Sequence, residues 1–350
     1  MTWQANVRTV TPYVAGEQPK DANIIKLNTN ECPYPPAPRV VEGLEKLNAA
    51  DFRLYPDPNC TALIECLADY YRLSPEQVFV GVGSDDVLAL AFLTFFNSDK
   101  PVLFPDVTYS FYDVWAQLYR IPYKTVALDA NFQIVKEDYL AENGGIIFPN
   151  PNAPTGVFED LELVEFIVKN NSGSVVIIDE AYVDFGGTSA IDMIAKYDNL
   201  LVVQTFSKSR AMAGMRIGYA MGNQKLIKYL SDAKFAFNSY TMNRTALNLG
   251  VEAVLDDEYF KQLTAKIVKT REWFAKELSR LGFVYPKSLG NFIFASHPNI
   301  PGEELFKALR ENGIYVRFWN QPRISEYLRI TIGTDEEMQK VVDFLDAYVQ

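Results

Sequence analysis

The chain has 350 residues, 48% of them hydrophobic, and a formal net charge of -11. Its length suits one large domain with a smaller one, and its negative charge argues against general nucleic-acid binding because it repels phosphate backbones. Three cysteines are too few for a disulfide framework or a zinc site, so we expect no metal. The sequence shows no secretory signal and no apolar run near the roughly 20 residues that a membrane helix needs. We therefore expect a cytoplasmic protein.

The first two predicted regions are an irregular arm, residues 1–36, and a large domain, residues 37–255. The arm is rich in Asn and Pro, and proline blocks regular pairing. In the large domain, short apolar runs alternate with helical patterns such as residues 59–72 and 160–170. This alternation predicts an α/β fold whose mostly parallel sheet has helices on both faces. The strands are predicted at Val78–Val82, Pro101–Phe104, Gly145–Phe148, Ser174–Ile178, Leu200–Gln204 and Ile217–Ala220.

A smaller α+β domain is predicted for residues 256–350. It starts with a long charged amphipathic helix at Asp256–Leu281, followed by short strands near Asn291–Ala295 and Leu328–Ile332. Thr334 and Glu337 then have the spacing of a capping box, which predicts the start of a last helix.

Polar residues follow four of the predicted strands directly. Ligands bind beyond the carboxyl ends of the strands in open α/β sheets, so we expect these four segments to share one pocket. The segments are Gly83–Asp86, Pro149–Gly156, Asp179–Tyr182 and Thr205–Lys208.

The first of these segments, with Gly81 before it, opens a predicted helix. Glycines before a helix N-terminus allow backbone N–H groups to approach a phosphate. The dinucleotide pattern fails here because Asp86 stands where the third glycine would be. Taken alone, the segment fits an ordinary capped helix better than a phosphate site.

Lys208 and Asp179 are the candidate catalytic groups. A lysine just past a buried strand is partly desolvated, which lowers its pKa and favours the neutral amine that a Schiff-base nucleophile needs. Thr205, Ser207 and Arg216 suit a phosphate monoester. A buried carboxylate such as Asp179 is costly without a cation, and a protonated pyridine nitrogen is a suitable one. The alternatives are a surface-loop lysine, and a helix cap or a structural ion pair for the aspartate.

Three arginines, Arg317, Arg323 and Arg329, stand close together near the end of the chain and are opposed only by Glu326. In an acidic protein, this local excess of positive charge indicates an anionic substrate group. For Arg323, solvated surface charge is the better interpretation.

Taken as an ordered set, these motifs resemble the fold-type-I, aspartate-aminotransferase-like enzymes, which use pyridoxal 5'-phosphate. The resemblance covers residues 8–348, and other segments are similar to the histidinol-phosphate aminotransferases within that group. The first set is Gly83-Ser84-Asp85, Thr108-Tyr109, Pro149–Gly156, Asp179–Tyr182, Ser207-Lys208 and Gly214-Met215-Arg216; the second is Thr11-Pro12-Tyr13, Leu27–Glu31, Tyr55–Pro58 and Leu328–Thr334.

The resemblance implies a role for each matching residue. Lys208 would carry the cofactor as a Schiff base and move the substrate proton, and Asp179 would pair with the pyridinium nitrogen. Tyr182 would contact the ring hydroxyl and Tyr109 would stack on the ring. The cofactor phosphate would be held by Ser84, Asp85, Thr205, Ser207, Arg216 and, from the partner subunit of a homodimer with shared active sites, Tyr55. Tyr13, Arg317 and Arg329 would bind the anionic end of the substrate, and Tyr55 would also contact the substrate.

One departure from the family pattern concerns the ring hydroxyl. The family usually has Asn directly before Pro-Thr-Gly, where this chain has Ala153. Alanine cannot make that hydrogen bond, so we expect Tyr182 to supply it with help from Asn152.

The resemblance implies ping-pong transamination between L-histidinol phosphate and 2-oxoglutarate in histidine biosynthesis. An aromatic amino acid aminotransferase and a threonine-phosphate decarboxylase of the same fold are the alternatives. A cofactor-sensing regulator is the alternative from another class, but it needs a DNA-binding module, and the 36-residue arm is too short for one.

Overall fold

The computed structural model describes residues 2–19 and 24–349. The strands of these ranges are β1 Ile25–Lys26, β2 Val78–Gly81, β3 Val102–Pro105, β4 Tyr123–Val126, β5 Gly145–Pro149, β6 Val176–Asp179, β7 Leu200–Thr205, β8 Gly218–Gly222, β9 Phe292–Ala295, β10 Ile314–Tyr315, β11 Arg317–Phe318 and β12 Leu328–Thr331. The helices are α1 Pro38–Glu45, α2 Thr61–Tyr71, α3 Ser84–Phe95, α4 Tyr112–Tyr119, α5 Leu161–Asn170, α6 Gln224–Phe237, α7 Arg244–Leu255, α8 Asp257–Arg280, α9 Gly302–Glu311 and α10 Asp335–Val349.

The large sheet has the strand order β2-β8-β7-β6-β5-β3-β4. Its pairs are parallel except that β8 runs antiparallel to both of its neighbours, β2 and β7. Successive side chains of a strand point to opposite faces, so Ile178 packs into one buried cluster and Ile177 into another. Helices α2, α5 and α7 contribute to the first cluster, and α3, α4 and α6 contribute to the second. The predicted mostly parallel sheet with helices on both faces is confirmed.

A third buried cluster lies around the small antiparallel sheet β11-β12-β9 and the helices α8, α9 and α10. The end of the arm joins this part of the molecule, because β1 pairs in parallel with β10 and Leu27 is buried in the same cluster. The backbone N–H of Asn30 also donates to Thr331 Oγ1 at 3.1 Å. The predicted division of the chain after residues 36 and 255 stays a prediction.

The last helix begins with the predicted capping box. The Thr334 N–H donates to Glu337 Oε2 at 2.8 Å, and the Glu337 N–H donates to Thr334 Oγ1 at 3.2 Å. These reciprocal bonds satisfy two donors that a helix start leaves free. In the described ranges, none of the helices is long and apolar enough to cross a membrane.

Candidate active site

A cavity of about 370 Å³ lies where β5, β6 and β7 end, with Pro149, Asp179 and Thr205 in its wall. Parallel strands present their carboxyl ends at one edge of a sheet, which is why residues distant in sequence meet here. Twelve of the fourteen predicted site residues line the cavity. They are Tyr13, Ser84, Asp85, Tyr109, Asp179, Tyr182, Thr205, Ser207, Lys208, Arg216, Arg317 and Arg329.

Lys208 follows β7 and extends its amine into the cavity, where Nζ donates to the backbone carbonyl of Thr29 at 2.9 Å. Burial lowers the pKa of Lys208 to about 8, and the nearby Arg329 guanidinium acts in the same direction. The carboxylates of Asp85 and Glu31 oppose this shift. The lowered pKa raises the share of neutral amine at physiological pH, and the neutral amine is the form that nucleophilic attack requires.

Asp179 ends β6 and is only 4% exposed. Two donors hold its carboxylate: the Tyr112 hydroxyl reaches Oδ2 at 2.9 Å, and the Ala181 N–H reaches Oδ1 at 3.2 Å. Burial nevertheless raises the pKa of Asp179 to about 6. A cation placed against this carboxylate would favour its ionised form.

The β2–α3 loop and the start of β8 approach each other closely at the cavity. Gly83 has a positive φ of 85°, and a Cβ built on Gly218 would lie 2.2 Å from the Gly83 carbonyl carbon and the Ser84 nitrogen. Only glycine at position 218 allows this approach, which brings Ser84 and Asp85 at the N-terminus of α3 to the cavity wall. Such a helix start suits an anion.

Hydroxyl and guanidinium donors complete this end of the cavity. Thr205 Oγ1 donates to Ser207 Oγ at 3.0 Å. Arg216 Nη2 lies 3.3 Å from Asp85 Oδ2, and the Tyr109 hydroxyl donates to Asp85 Oδ1 at 2.7 Å. The Asp85 carboxylate thus orients Arg216 and Tyr109 together. Hydroxyls, a guanidinium and a helix start form a donor set suited to a phosphate monoester.

The Tyr182 hydroxyl accepts a hydrogen bond from Asn30 Nδ2 at 2.9 Å. Asn30 is fully buried and was not among the predicted site residues, although it lies in the matching segment Leu27–Glu31. Asn152 does not occupy the place we expected. Its amide nitrogen donates to the Val107 carbonyl and to Thr155 Oγ1, both at 3.0 Å, and it is not one of the residues that line the cavity. Within the described residues, the structure therefore places Asn30 beside Tyr182.

Two of the three clustered arginines, Arg317 and Arg329, line the same cavity. Arg329 Nη2 donates to the Asn28 carbonyl at 3.0 Å, and its buried Nε has no hydrogen-bond partner among the described residues. Burial also lowers the pKa of Arg329. Arg317 Nη2 donates to the Val14 carbonyl at 2.9 Å, and both guanidinium groups lie over the Trp319 ring at 5.2–5.3 Å. This pair can receive an anion.

The third arginine has a different place. Arg323 Nη1 pairs with Asp106 Oδ2 at 2.6 Å, and its Nη2 donates to the carbonyls of Leu128 and Asp129. It is absent from the residues that line the cavity. Arg323 therefore connects its own loop, before β12, to the loops that follow β3 and β4.

Besides Asn152, Tyr55 is the second of the fourteen predicted site residues that does not line the cavity. Its side chain is 78% exposed and its ring stacks on Tyr240 with centroids 4.6 Å apart. Arg244 Nη2 donates to the Tyr55 carbonyl at 2.9 Å. The expected contact of Tyr55 with a partner's site stays a prediction.

Nine further residues line the cavity without having been predicted as site residues. Some of them lie in segments that resemble the family, yet they were not predicted as site residues. A motif does not reveal which of its backbone or side-chain atoms face a ligand. The nine are Gly16, Asn28, Thr29, Glu31, Pro149, Ala153, Ala181, Ala213 and Gly214.

Known proteins resemble this chain along nearly its whole length. Residues 22–345 match the family described as aminotransferase class I and II. The chain is 51% identical over 350 residues to the histidinol-phosphate aminotransferase of Lactococcus lactis subsp. lactis (strain IL1403), with 100% of this chain and 97% of that protein covered.

Two solved structures share the fold. The histidinol-phosphate aminotransferase from Sinorhizobium meliloti in complex with pyridoxal-5'-phosphate has a TM-score of 0.84 and 22% identity, and covers 93% of this chain and 90% of its own. A Thermus thermophilus aspartate aminotransferase mutant has a TM-score of 0.82 and 20% identity, covering 93% and 96%. The predicted fold is confirmed.

Proposed function

The chain belongs to the class I and II aminotransferases, and we propose that it exchanges an amino group between L-histidinol phosphate and 2-oxoglutarate. The products are imidazole-acetol phosphate and L-glutamate, as in histidine biosynthesis. The observation that carries this proposal is 51% identity, along the full length, to an enzyme named for that substrate. The paired Arg317 and Arg329 at the cavity suit a phosphate and a carboxylate equally, since a guanidinium fork accepts either anion.

The cofactor is pyridoxal 5'-phosphate, and the residues of the cavity fit it. The hydroxyls of Thr205 and Ser207 with Arg216 suit its phosphate, and the buried Asp179 suits a protonated ring nitrogen. When bound, the cofactor supplies an aldehyde that receives the amino group and a protonated ring that withdraws electrons.

Each side chain around that group has a proposed task. Asp179 would keep the ring nitrogen protonated, and Tyr182, oriented by Asn30, would donate to the ring hydroxyl. Tyr109 would cover the ring, and its bond to Asp85 fixes its orientation. Ser84 and Asp85 would offer their backbone N–H groups to the phosphate.

Lys208 is the proposed acid–base group. Its pKa of about 8 lies near physiological pH, so Nζ can both accept and return a proton. The hydrogen bond to the Thr29 carbonyl sets the direction in which the amine points. No histidine is needed for this chemistry, and His297 lies in a β-bridge with Ile300, away from the cavity residues.

We expect the rate at which cofactor-free protein takes up pyridoxal phosphate to rise with pH until about 8 and then to level off. Only the neutral amine attacks an aldehyde, and burial lowers the pKa of Lys208 to about 8, so the reactive fraction falls about tenfold per unit below that pH. Stopped-flow absorption of the covalent cofactor measures this rate. A rate that keeps rising towards the pKa of an ordinary lysine would contradict the prediction.

The function is tested by turnover with a panel of amino donors and keto acceptors. We expect imidazole-acetol phosphate to be the preferred acceptor for glutamate. Much better use of phenylpyruvate would indicate an aromatic amino acid aminotransferase, and carbon dioxide release from threonine phosphate would indicate a decarboxylase.

We also propose that the protein is a homodimer with shared active sites and that it works in the cytoplasm. The segment that carries Tyr55 supports the dimer, since Phe52 and Leu54 beside it are also largely exposed, at 59% and 49%. Exposed apolar residues in one short segment are typical of a protein–protein contact. Arg244 and Tyr240 hold Tyr55 at this surface, where it can reach a second subunit.

Mixing inactive Tyr55→Phe and Lys208→Ala subunits is expected to restore activity. If Tyr55 serves the partner's site, each heterodimer has one intact site, so random exchange between the two variants gives about a quarter of the wild-type sites. Activity measured after subunit exchange tests this. Mixtures no more active than the Tyr55→Phe protein alone would show that Tyr55 acts within its own subunit or not at all.

A further inference from the structure

Tyr112, the first residue of α4, was not among the predicted site residues, yet it hydrogen-bonds to the side chain of Asp179 at 2.9 Å. Side chains alternate along β6, so Asp179 lies on the same face of the sheet as Ile177. Tyr112 belongs to the buried cluster on that face. The bond therefore crosses from a helix to the end of a central strand, within the protein interior.

The Tyr112 ring is held from several sides. It is 0% exposed, and four aromatic rings surround it with centroids 5.8–6.2 Å away, two of them edge-on. Such packing leaves a large side chain little freedom. The hydroxyl is thus a donor fixed in place before any ligand binds. The surrounding rings are Phe92, Phe104, Tyr109 and Trp115.

The Tyr112 hydroxyl matters because few other groups near Asp179 favour its ionised form. Besides Tyr112, the carboxylate accepts only the N–H of Ala181 among the described residues. The nearby Asp85 disfavours its ionised form, whereas Lys208 favours it. The hydrogen bond from Tyr112 is the leading influence that lowers the pKa of Asp179 against the effect of burial.

We propose that Tyr112 is a positioning residue that holds Asp179 as a weakly basic carboxylate, so that the proton it shares with the cofactor stays on the ring nitrogen. This inference rests on the proposed function only in that it requires bound pyridoxal phosphate; it does not depend on which substrate the enzyme uses. A carboxylate that accepts a strong hydrogen bond is a weaker base. Without that bond, Asp179 would compete for the proton, and the ring would withdraw electrons less well.

The test compares Tyr112→Phe with Tyr139→Phe. Tyr139 is also 0% exposed, but its hydroxyl has no partner among the described residues, and it packs in the cluster on the opposite face of the sheet. Both changes remove one buried hydroxyl. Only the first removes a donor to Asp179.

In Tyr112→Phe, the ¹⁵N resonance of labelled cofactor is expected to move from the pyridinium position towards that of neutral pyridine. The kcat for transamination should fall about 10- to 100-fold, in line with the loss of a hydrogen bond to a buried charged group, while KM changes little. Tyr139→Phe should leave the resonance and kcat at their wild-type values. Thermal unfolding of both cofactor-free variants checks that each is folded.

An unchanged ¹⁵N resonance in folded Tyr112→Phe would overturn the inference, as would equal effects of the two variants. This outcome is distinct from failure of the proposed function. If the wild-type protein binds the cofactor but does not use histidinol phosphate, a shifted resonance in Tyr112→Phe still supports the positioning by Tyr112.

Discussion

Replacing Lys208 with alanine is expected to reduce kcat for transamination by about 10⁴-fold or more, because the change removes both the proposed covalent anchor and the proposed acid–base group. The amine lies in the cavity, points to the Thr29 carbonyl and has a pKa of about 8. No other lysine lines the cavity in the described residues. Single-turnover kinetics, and mass spectrometry after borohydride reduction, measure the two losses separately.

A small primary amine added to Lys208→Ala provides the control. If the variant lacks only the amine, methylamine should restore part of the proton transfer and none of the covalent attachment to protein. Activity within tenfold of wild type, or attachment of cofactor at another lysine, would contradict the assignment.

Arg329→Gln is expected to raise KM about 100-fold or more for both histidinol phosphate and glutamate, because the loss of a buried charge that pairs with an anion typically costs several kcal/mol. Arg329 is half-buried at the cavity, and its buried Nε has no hydrogen-bond partner among the described residues. Since one arginine pair would serve both substrates, the two KM values should rise together. Steady-state kinetics with each substrate varied in turn checks this.

The matched control is Arg323→Gln. Arg323 comes from the same cluster in the sequence but pairs with Asp106 away from the cavity. We expect KM to stay within about twofold of wild type and stability to fall by about 1 kcal/mol or less, as for a partly exposed ion pair. If KM rises equally in both variants, the rise in Arg329→Gln reflects general destabilisation of the protein, and the assignment of Arg329 as an anion-binding residue is contradicted.

The buried strands of the large sheet could be predicted because they leave a clear pattern. Strands β3, β5, β6 and β7 are covered on both faces and read as continuous apolar runs. Strand β4 gave no such signal, because it lies at the edge of the sheet and three of its four residues are exposed. The short strand β1 depends on a partner nearly 300 residues away, so local pattern cannot reveal it.

Residues of the candidate site could be predicted where a reactive side chain stands at or just after the end of a buried strand. Lys208 and Asp179 are two such residues, and both line the cavity. The carbonyl of Thr29 was not predictable, since every residue has one, and Tyr112 belongs to none of the motifs that the sequence shows. The hydrogen bond that Ala153 cannot make to the ring hydroxyl stays a prediction, and the amide that the structure places at Tyr182 comes from Asn30, far away in sequence.

The meeting of the arm with the last strands has a consequence for how the protein is made. Strand β1 pairs with β10, and the side chain of Asn30 contacts both Tyr182 and Thr331. On the ribosome, β1 and Asn30 therefore meet their partners in β10 and β12 only after almost the entire polypeptide has emerged. A nascent chain halted before β12 contains the strands of its central sheet and Lys208 but lacks Arg329, so its pocket is completed only when the last part of the chain is made.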